Sequence, residues 1–166
     1  MSHPLHPALV HFPIACWSLA TVTDLASLYW GEPAWRFAGN VMAIGTLAAI
    51  GAMATGFIEL LKVDADSPAT PDLNRHMLLI VTAWSCYAAS LFLRLDGTTL
   101  NRPETLHLGL STAGFLVLCA AGWFGGKLVY QHGVGVRKEH APGVTDRHRK
   151  AAFSAVEPDH SYGEIQ

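Results

Sequence analysis

Four long stretches of this sequence are almost free of charged residues, at 8–30, 38–61, 76–95 and 106–131. Each is long enough to cross a bilayer as a helix, which takes about 20 apolar residues. Charged residues make up only 14% of the chain, against about 25% in ordinary globular domains. A soluble bundle would carry a polar stripe on every helix, whereas "VMAIGTLAAIGAMATGFIELL" has no charge before Glu59. We therefore predict an all-α fold, a bundle of four transmembrane helices.

The remaining polar residues predict how the chain is organised. We expect a membrane domain at residues 1–136 and a polar tail at 137–166. Four alternating spans place both termini on one side, which we call side A; the opposite side is side B. Lys and Arg near the spans are more numerous on side A, which predicts that side A is cytoplasmic in a multi-pass protein of the bacterial inner membrane. No Lys or Arg precedes the first apolar stretch, so we expect that stretch to remain as a span rather than be removed as a signal peptide.

Glycine and proline mark the predicted breaks in the helices. Pro13 lies one turn inside the first span and predicts a kink there. Gly31 and Pro33 are predicted to end that span, and the third span is predicted to begin at about His76. No internal repeat is obvious. The cysteines form no CxxC pattern, and we expect them to be small buried apolar residues: Cys16, Cys86 and Cys119.

Histidines are concentrated towards side A. Ionisable groups at membrane depth are costly and usually face the interior of the bundle or a cavity. His11 lies about one turn inside the first span, His76 opens the third and His132 ends the fourth. Three helices are therefore predicted to direct imidazoles to one level. Two further histidines, His3 and His6, precede the first span on the same side.

Glycines on the second and fourth spans are predicted at the same level. Small residues let membrane helices approach closely, and helix packing is the simpler interpretation. The sharper one is that a flat macrocycle can lie against a helix backbone only where no Cβ intrudes. The glycines that would outline such a slot are Gly56, Gly122, Gly125 and Gly126.

Haem b is one chemistry that suits this arrangement, because its iron takes two axial ligands from different helices and neutral imidazoles are common ones. We predict His11 and His76 as the axial pair. Arg75, beside His76, is placed to bind a haem propionate. His132 could replace either ligand or bind a propionate.

Other site chemistries are less well supported by the sequence. His3 and His6 form an HxxH spacing to which His11 could add a nitrogen for zinc or copper, but no side A carboxylate or thiolate is spaced with them. Asp24 and Glu59 lie at opposite ends of the spans with no carboxylate between them, so we expect interfacial positions rather than a proton relay. Motifs of soluble enzymes, such as GxSxG, Walker A and a GxGxxG that opens a helix, are absent.

Three motifs carry a resemblance to a known family. "HPLHPALVHFPI", "RHMLL" and "GWFGGKLVYQHGVGV" resemble the bacterial membrane-protein family catalogued as domain of unknown function number 2231, over about residues 3–136. The resemblance implies a four-helix integral membrane domain of uncharacterised activity. Some family members lie beside or are fused to redox proteins, which favours a cytochrome-like role. The motif positions that it carries onto this chain are His6, Pro7, His11, Pro13, His76, Gly125, Gly126, His132 and Gly133.

These observations favour a b-type cytochrome-like subunit with one haem near side A, which transfers electrons between a redox protein or membrane complex and the quinone pool. Only one haem is expected, because His107 is the one histidine assigned to side B. An electron-transfer or accessory subunit fits better than a stand-alone enzyme. The alternatives are a cofactor-free membrane anchor or assembly subunit of a larger complex, and a metal-handling membrane protein. The lipid bilayer is the first partner, a homo-oligomer is compatible with the sequence, and a net charge of −2 gives no reason to expect nucleic acid.

Overall fold

Four helices form the bundle. The computed structural model describes residues 5–135, so that His3 and the predicted tail at 137–166 lie outside the described residues. All four helices are long and apolar enough to cross a membrane, which confirms the predicted all-α, four-helix bundle. The helices are α1 Leu5–Trp30, α2 Glu32–Leu60, α3 Thr70–Leu93 and α4 Thr105–Tyr130.

Two helical hairpins make up the bundle, because α1 packs chiefly against α2, and α3 against α4. Gly31 alone separates α1 from α2 and has a φ of 67°, a conformation that glycine adopts without steric cost. Pro33, the second predicted helix breaker, lies instead in the first turn of α2, where its missing N–H costs nothing. α1 continues through Pro13, which is buried.

The third helix begins earlier than its apolar stretch. The predicted start at about His76 is wrong, because α3 begins at Thr70. Pro71 and Asp72 lie in the first turn of α3, where a proline lacks only a hydrogen bond that would not form and a carboxylate interacts favourably with the helix dipole. Hydropathy detects only the apolar part of a helix, so it does not detect this polar extension of nearly two turns.

The connection between α3 and α4 is a short β-hairpin. Strands β1 (Leu95–Asp96) and β2 (Thr99–Leu100) pair antiparallel, and Gly97, with a φ of 59°, makes the turn. At the start of α4, the backbone N–H of Glu104 donates to Nδ1 of His107 over 2.8 Å, and the Glu104 side chain accepts a backbone N–H in return. The histidine assigned to side B therefore caps a helix.

Large apolar side chains cover the outside of the bundle. Leu47, Phe92 and Trp123 are each about 70% exposed or more, and a soluble monomer rarely presents extended apolar surface of this kind. Cys119, which was expected to be buried, is also exposed on α4. The exposed surface therefore fits a lipid environment.

The two hairpins repeat the same contacts. The Cβ of Cys16 in α1 packs on Gly45 in α2, and the Cβ of Cys86 in α3 packs on Gly114 in α4. The aromatic residues that follow these cysteines, Trp17 and Tyr87, stack with ring centroids 4.8 Å apart and planes 6° apart. The Tyr87 hydroxyl also donates to the carbonyl of Trp17, 70 residues away in the chain. A contact between equivalent positions of two related units is what a two-fold axis between them produces, so the bundle contains a repeat that is not obvious in the sequence.

An ion pair joins the two hairpins at side B. Asp24 and Arg94 are also 70 residues apart and form a bidentate pair, Nη1–Oδ1 at 2.9 Å and Nη2–Oδ2 at 2.8 Å. Both side chains are fully buried. Arg94 also donates from Nε to the carbonyl of Ser90 and from Nη2 to its hydroxyl. Asp24, which was expected at the interface, thus has its carboxylate inside the bundle, near the side B ends of α1 and α3.

Gly45 provides a test of the close contact between α1 and α2. A Cβ at this position would lie 2.7 Å from the Cβ of Cys16, which cannot swing away as the end of a flexible side chain could. We expect Gly45→Ala to lower the free energy of unfolding by about 1–3 kcal/mol, measured by thermal unfolding in detergent. Gly51→Ala is the matched control on the same helix, because a Cβ there meets nothing within 4 Å. Equal stability of the two variants would contradict the packing described here.

The buried ion pair gives a second prediction. Asp24→Asn leaves the Arg94 charge buried without its partner, and we expect a loss of about 3–5 kcal/mol in the free energy of unfolding. Asp24→Leu combined with Arg94→Met replaces both charges by apolar groups and should cost less than Asp24→Asn alone or Arg94→Met alone. Thermal unfolding of the three variants in the same detergent tests this, and wild-type stability of the single variants would rule it out.

Candidate functional site

His6 and His76 occupy equivalent positions at the end of the bundle that corresponds to side A. Nδ1 of His6 lies 2.9 Å from the carbonyl oxygen of Ala52 in α2. Nδ1 of His76 lies 2.9 Å from the carbonyl oxygen of Ala121 in α4. A carbonyl can only accept, so Nδ1 carries the hydrogen in both rings, and the neutral imidazole keeps its lone pair on Nε2. Each hairpin therefore presents one imidazole in the form that binds a metal through Nε2.

Each imidazole also packs against a glycine of the neighbouring helix. This glycine lies one helical turn after the residue whose carbonyl the imidazole contacts. A Cβ on Gly56 would lie 2.8 Å from Cε1 of His6, and one on Gly125 would lie 3.2 Å from Cε1 of His76. These two glycines, predicted to outline a slot for a macrocycle, are thus covered by the histidine rings. Gly122 and Gly126 differ, because a Cβ on either would meet no atom within 4 Å in the described residues.

His11 lies elsewhere. Its side chain is on the exposed surface of α1, and its Nδ1 donates to the carbonyl oxygen of Pro7, one turn earlier in the same helix, over 2.6 Å. His6, by contrast, occupies in α1 the position that His76 occupies in α3, and each bonds a backbone carbonyl of the neighbouring helix. The repeated contacts thus match His76 with His6 rather than with His11. The sequence feature that could have identified this pair is the repeat, because His6 precedes Trp17 by the same number of residues as His76 precedes Tyr87.

A second polar group, the Asp72 cluster, consists of Asp72, Arg75, Lys127 and His132. Oδ1 of Asp72 accepts from Nη1 of Arg75 over 3.1 Å. Its Oδ2 lies 3.0 Å from Nζ of Lys127 and 3.2 Å from Nε2 of His132. The Arg75 guanidinium and the Lys127 ammonium both lie over the ring of Phe124, at 5.9 Å and 5.7 Å from its centroid. Arg75 and His132, both predicted as haem-binding residues, are therefore held by a carboxylate in the first turn of α3.

The donor set limits the kind of metal centre. In the part of the chain that the structure describes, no three His, Cys, Asp or Glu side chains converge as metal ligands. A zinc site of protein ligands usually needs three or four, whereas a b-type haem iron needs only two. His6 and His76 are two imidazoles, fewer than such a zinc site uses.

A shallow apolar groove lies in another part of the bundle. Its volume is about 390 Å³, and it runs between α2 and α3. Because its α3 residues begin at Ala88, it lies more than three turns from His76 and does not adjoin the histidines. The residues that line it are Thr46, Ala88, Ala89, Leu91, Phe92 and Leu95.

Comparison with known proteins identifies the family. A family model described as "Predicted membrane protein (DUF2231)" matches residues 2–138, which is most of the chain and confirms the resemblance carried by its motifs. No curated protein and no solved structure matches the chain. The chain belongs to the DUF2231 family of predicted membrane proteins.

Proposed function

We propose that this multi-pass membrane protein is a b-type cytochrome-like subunit that binds one haem between its two hairpins, with His6 and His76 as the axial ligands. The observation that carries the proposal is the matched pair of imidazoles. Each donates Nδ1–H to a backbone carbonyl and keeps Nε2 for a ligand. His6 replaces His11 in the proposed pair, because the His11 side chain lies on the outside of α1.

The contacts around the histidines resemble those of metal-binding imidazoles in general. Such imidazoles almost always donate their second ring N–H to a carboxylate, a backbone carbonyl or water, which fixes the tautomer and makes the ligand nitrogen more basic. Here the carbonyls of Ala52 and Ala121 accept, and the Cε1 edge of each ring lies close to Gly56 or Gly125, where a Cβ would crowd it.

The arrangement of the hairpins favours a flat ligand between them. Helices of different hairpins pack far less extensively than the two helices within a hairpin, and each hairpin would supply one axial nitrogen. When bound, haem accepts and releases single electrons. His76 lies about two turns from the start of α3, so a redox partner at the side A surface is within reach while quinone approaches from the bilayer.

An absorption spectrum is the first test. We expect protein purified in detergent from cells supplied with a haem precursor to show a sharp haem b band after dithionite reduction, at about one haem per chain. Colourless protein from such cells would overturn the proposal. It would favour the second candidate, a cofactor-free anchor or assembly subunit, in which the two histidines only tie neighbouring helices together through their carbonyl contacts.

Variants then test which histidines bind. We expect His6→Ala and His76→Ala each to abolish or shift the haem band, because one axial nitrogen is lost. His11→Ala is the matched control in the same helix and should keep the wild-type spectrum. Thermal unfolding of the three proteins separates ligand loss from misfolding. Loss of the band in His11→Ala with retention in His6→Ala would show that the pair is wrongly assigned.

Gly56 gives an independent test of the position of the His6 ring. Gly56→Ala would place a Cβ 2.8 Å from Cε1 of His6, and the ring can move aside at little cost to the fold. We therefore expect a shifted or weakened haem band with nearly unchanged thermal stability. Gly122→Ala, where the Cβ meets nothing within 4 Å, should leave the band unchanged. A band as strong in Gly56→Ala as in Gly122→Ala would argue against His6 as a ligand.

A further inference from the structure

The Asp72 cluster lies at the level of the lipid headgroups. α3 has 24 residues and α4 has 26, which at about 1.5 Å per residue makes helices of about 36–39 Å. The hydrocarbon core of a bilayer is about 30 Å thick, so the ends of these helices extend beyond it. Asp72 is in the first turn of α3 and Lys127 in the last turn of α4.

The cluster carries an excess of positive charge. One carboxylate, that of Asp72, faces two permanent cations and an imidazole. The Arg75 side chain is 62% exposed and bonds Asp72 through Nη1, which leaves other guanidinium N–H groups free to donate to an anion. The carboxylate of Asp64, in the loop before α3, accepts the backbone N–H of Asp66, whereas Arg75 and Lys127 pair with Asp72. The cluster thus presents donors and positive charge to the headgroup region.

The charges of the cluster are not repeated at the corresponding positions of the first hairpin in the sequence. In the repeat, Leu5 and Ile58 occupy the positions that correspond to Arg75 and Lys127, and Val63 corresponds to His132. The histidine, cysteine and glycine contacts of the two hairpins are otherwise matched. Because apolar residues stand at the corresponding positions of the first hairpin, the repeat itself does not account for these charges in the second hairpin.

Exposed apolar side chains lie directly below the cations on the same helix faces. Residues three or four apart share a face of a helix. Leu78 follows Arg75 by three positions and is 68% exposed, and Trp123 precedes Lys127 by four and is 73% exposed. Together they offer an acyl chain an apolar surface beneath a headgroup bound by the cations.

We propose that Arg75 and Lys127 form a binding site for the phosphate of an anionic phospholipid, with its acyl chain along Leu78 and Trp123. Basic pockets between membrane helices are a recurrent mode of anionic headgroup binding. Arg75 supplies a planar set of N–H donors for the phosphate oxygens, and Lys127 supplies a point charge. Asp72 holds both cations in place. This proposal does not depend on the proposed haem.

Native mass spectrometry of the detergent-purified protein tests the site, with phosphatidylglycerol and phosphatidylcholine as probes. We expect the wild type to retain phosphatidylglycerol in preference to phosphatidylcholine by on the order of tenfold. Arg75→Gln combined with Lys127→Gln should lose most of this preference. Arg36→Gln is the control, because Arg36 is an exposed arginine that also pairs with a carboxylate, Glu32, at the other end of the bundle.

A charge-conserving variant guards against a folding effect. Arg75→Lys combined with Lys127→Arg should keep the preference for phosphatidylglycerol. An unchanged preference in the neutral double variant, or an equal loss in Arg36→Gln, would overturn the proposal. Loss of bound haem from the neutral variant, with lipid preference intact, would also overturn it, because the cations would then serve the haem carboxylates.

Discussion

The Asp24–Arg94 ion pair holds the two hairpins in register. Lipid is as apolar as the side chains that helices bury, so helices in a bilayer gain little from hydrophobic burial and depend on close packing and hydrogen bonds. Both charges are withdrawn from water and lipid, and the bidentate geometry and the Ser90 contacts satisfy them. His6 and His76 each precede their charged residue by about five helical turns. The pair at side B thereby brings the two imidazoles to one level at side A.

Much of the fold could be predicted from the sequence, and the exceptions have physical causes. The apolar stretches predicted four helices, and Gly31 marked the reversal between α1 and α2. Residues 70–75 were missed because hydropathy does not detect a polar first turn. The burial of Asp24 in an ion pair was not predicted, because a single sequence does not show which charge lies opposite it. The repeat escaped detection because the hairpins share contacts and not many identical residues.

Some contacts of the candidate site follow from the sequence and others do not. The concentration of histidines and glycines at side A predicted a site at that end, and His76 and Gly125 do lie in contact there. Whether His6 or His11 faces the interior depends on the rotation of α1, which the apolar stretch leaves undetermined because both residues lie near its polar end. The proposed functions divide this region between two sets of residues. The matched histidines come one from each hairpin, whereas the unmatched charges belong to the α3–α4 pair alone.

The opposite charges at equivalent positions determine which hairpins can associate. Two copies of the α1–α2 hairpin, arranged as the bundle arranges its halves, would bring Asp24 against Asp24. Two copies of the α3–α4 hairpin would bring Arg94 against Arg94. Either arrangement buries like charges together, which is strongly unfavourable. Each hairpin therefore accepts only a partner hairpin that carries the opposite charge at this position. The covalent link between the two hairpins keeps that partner close.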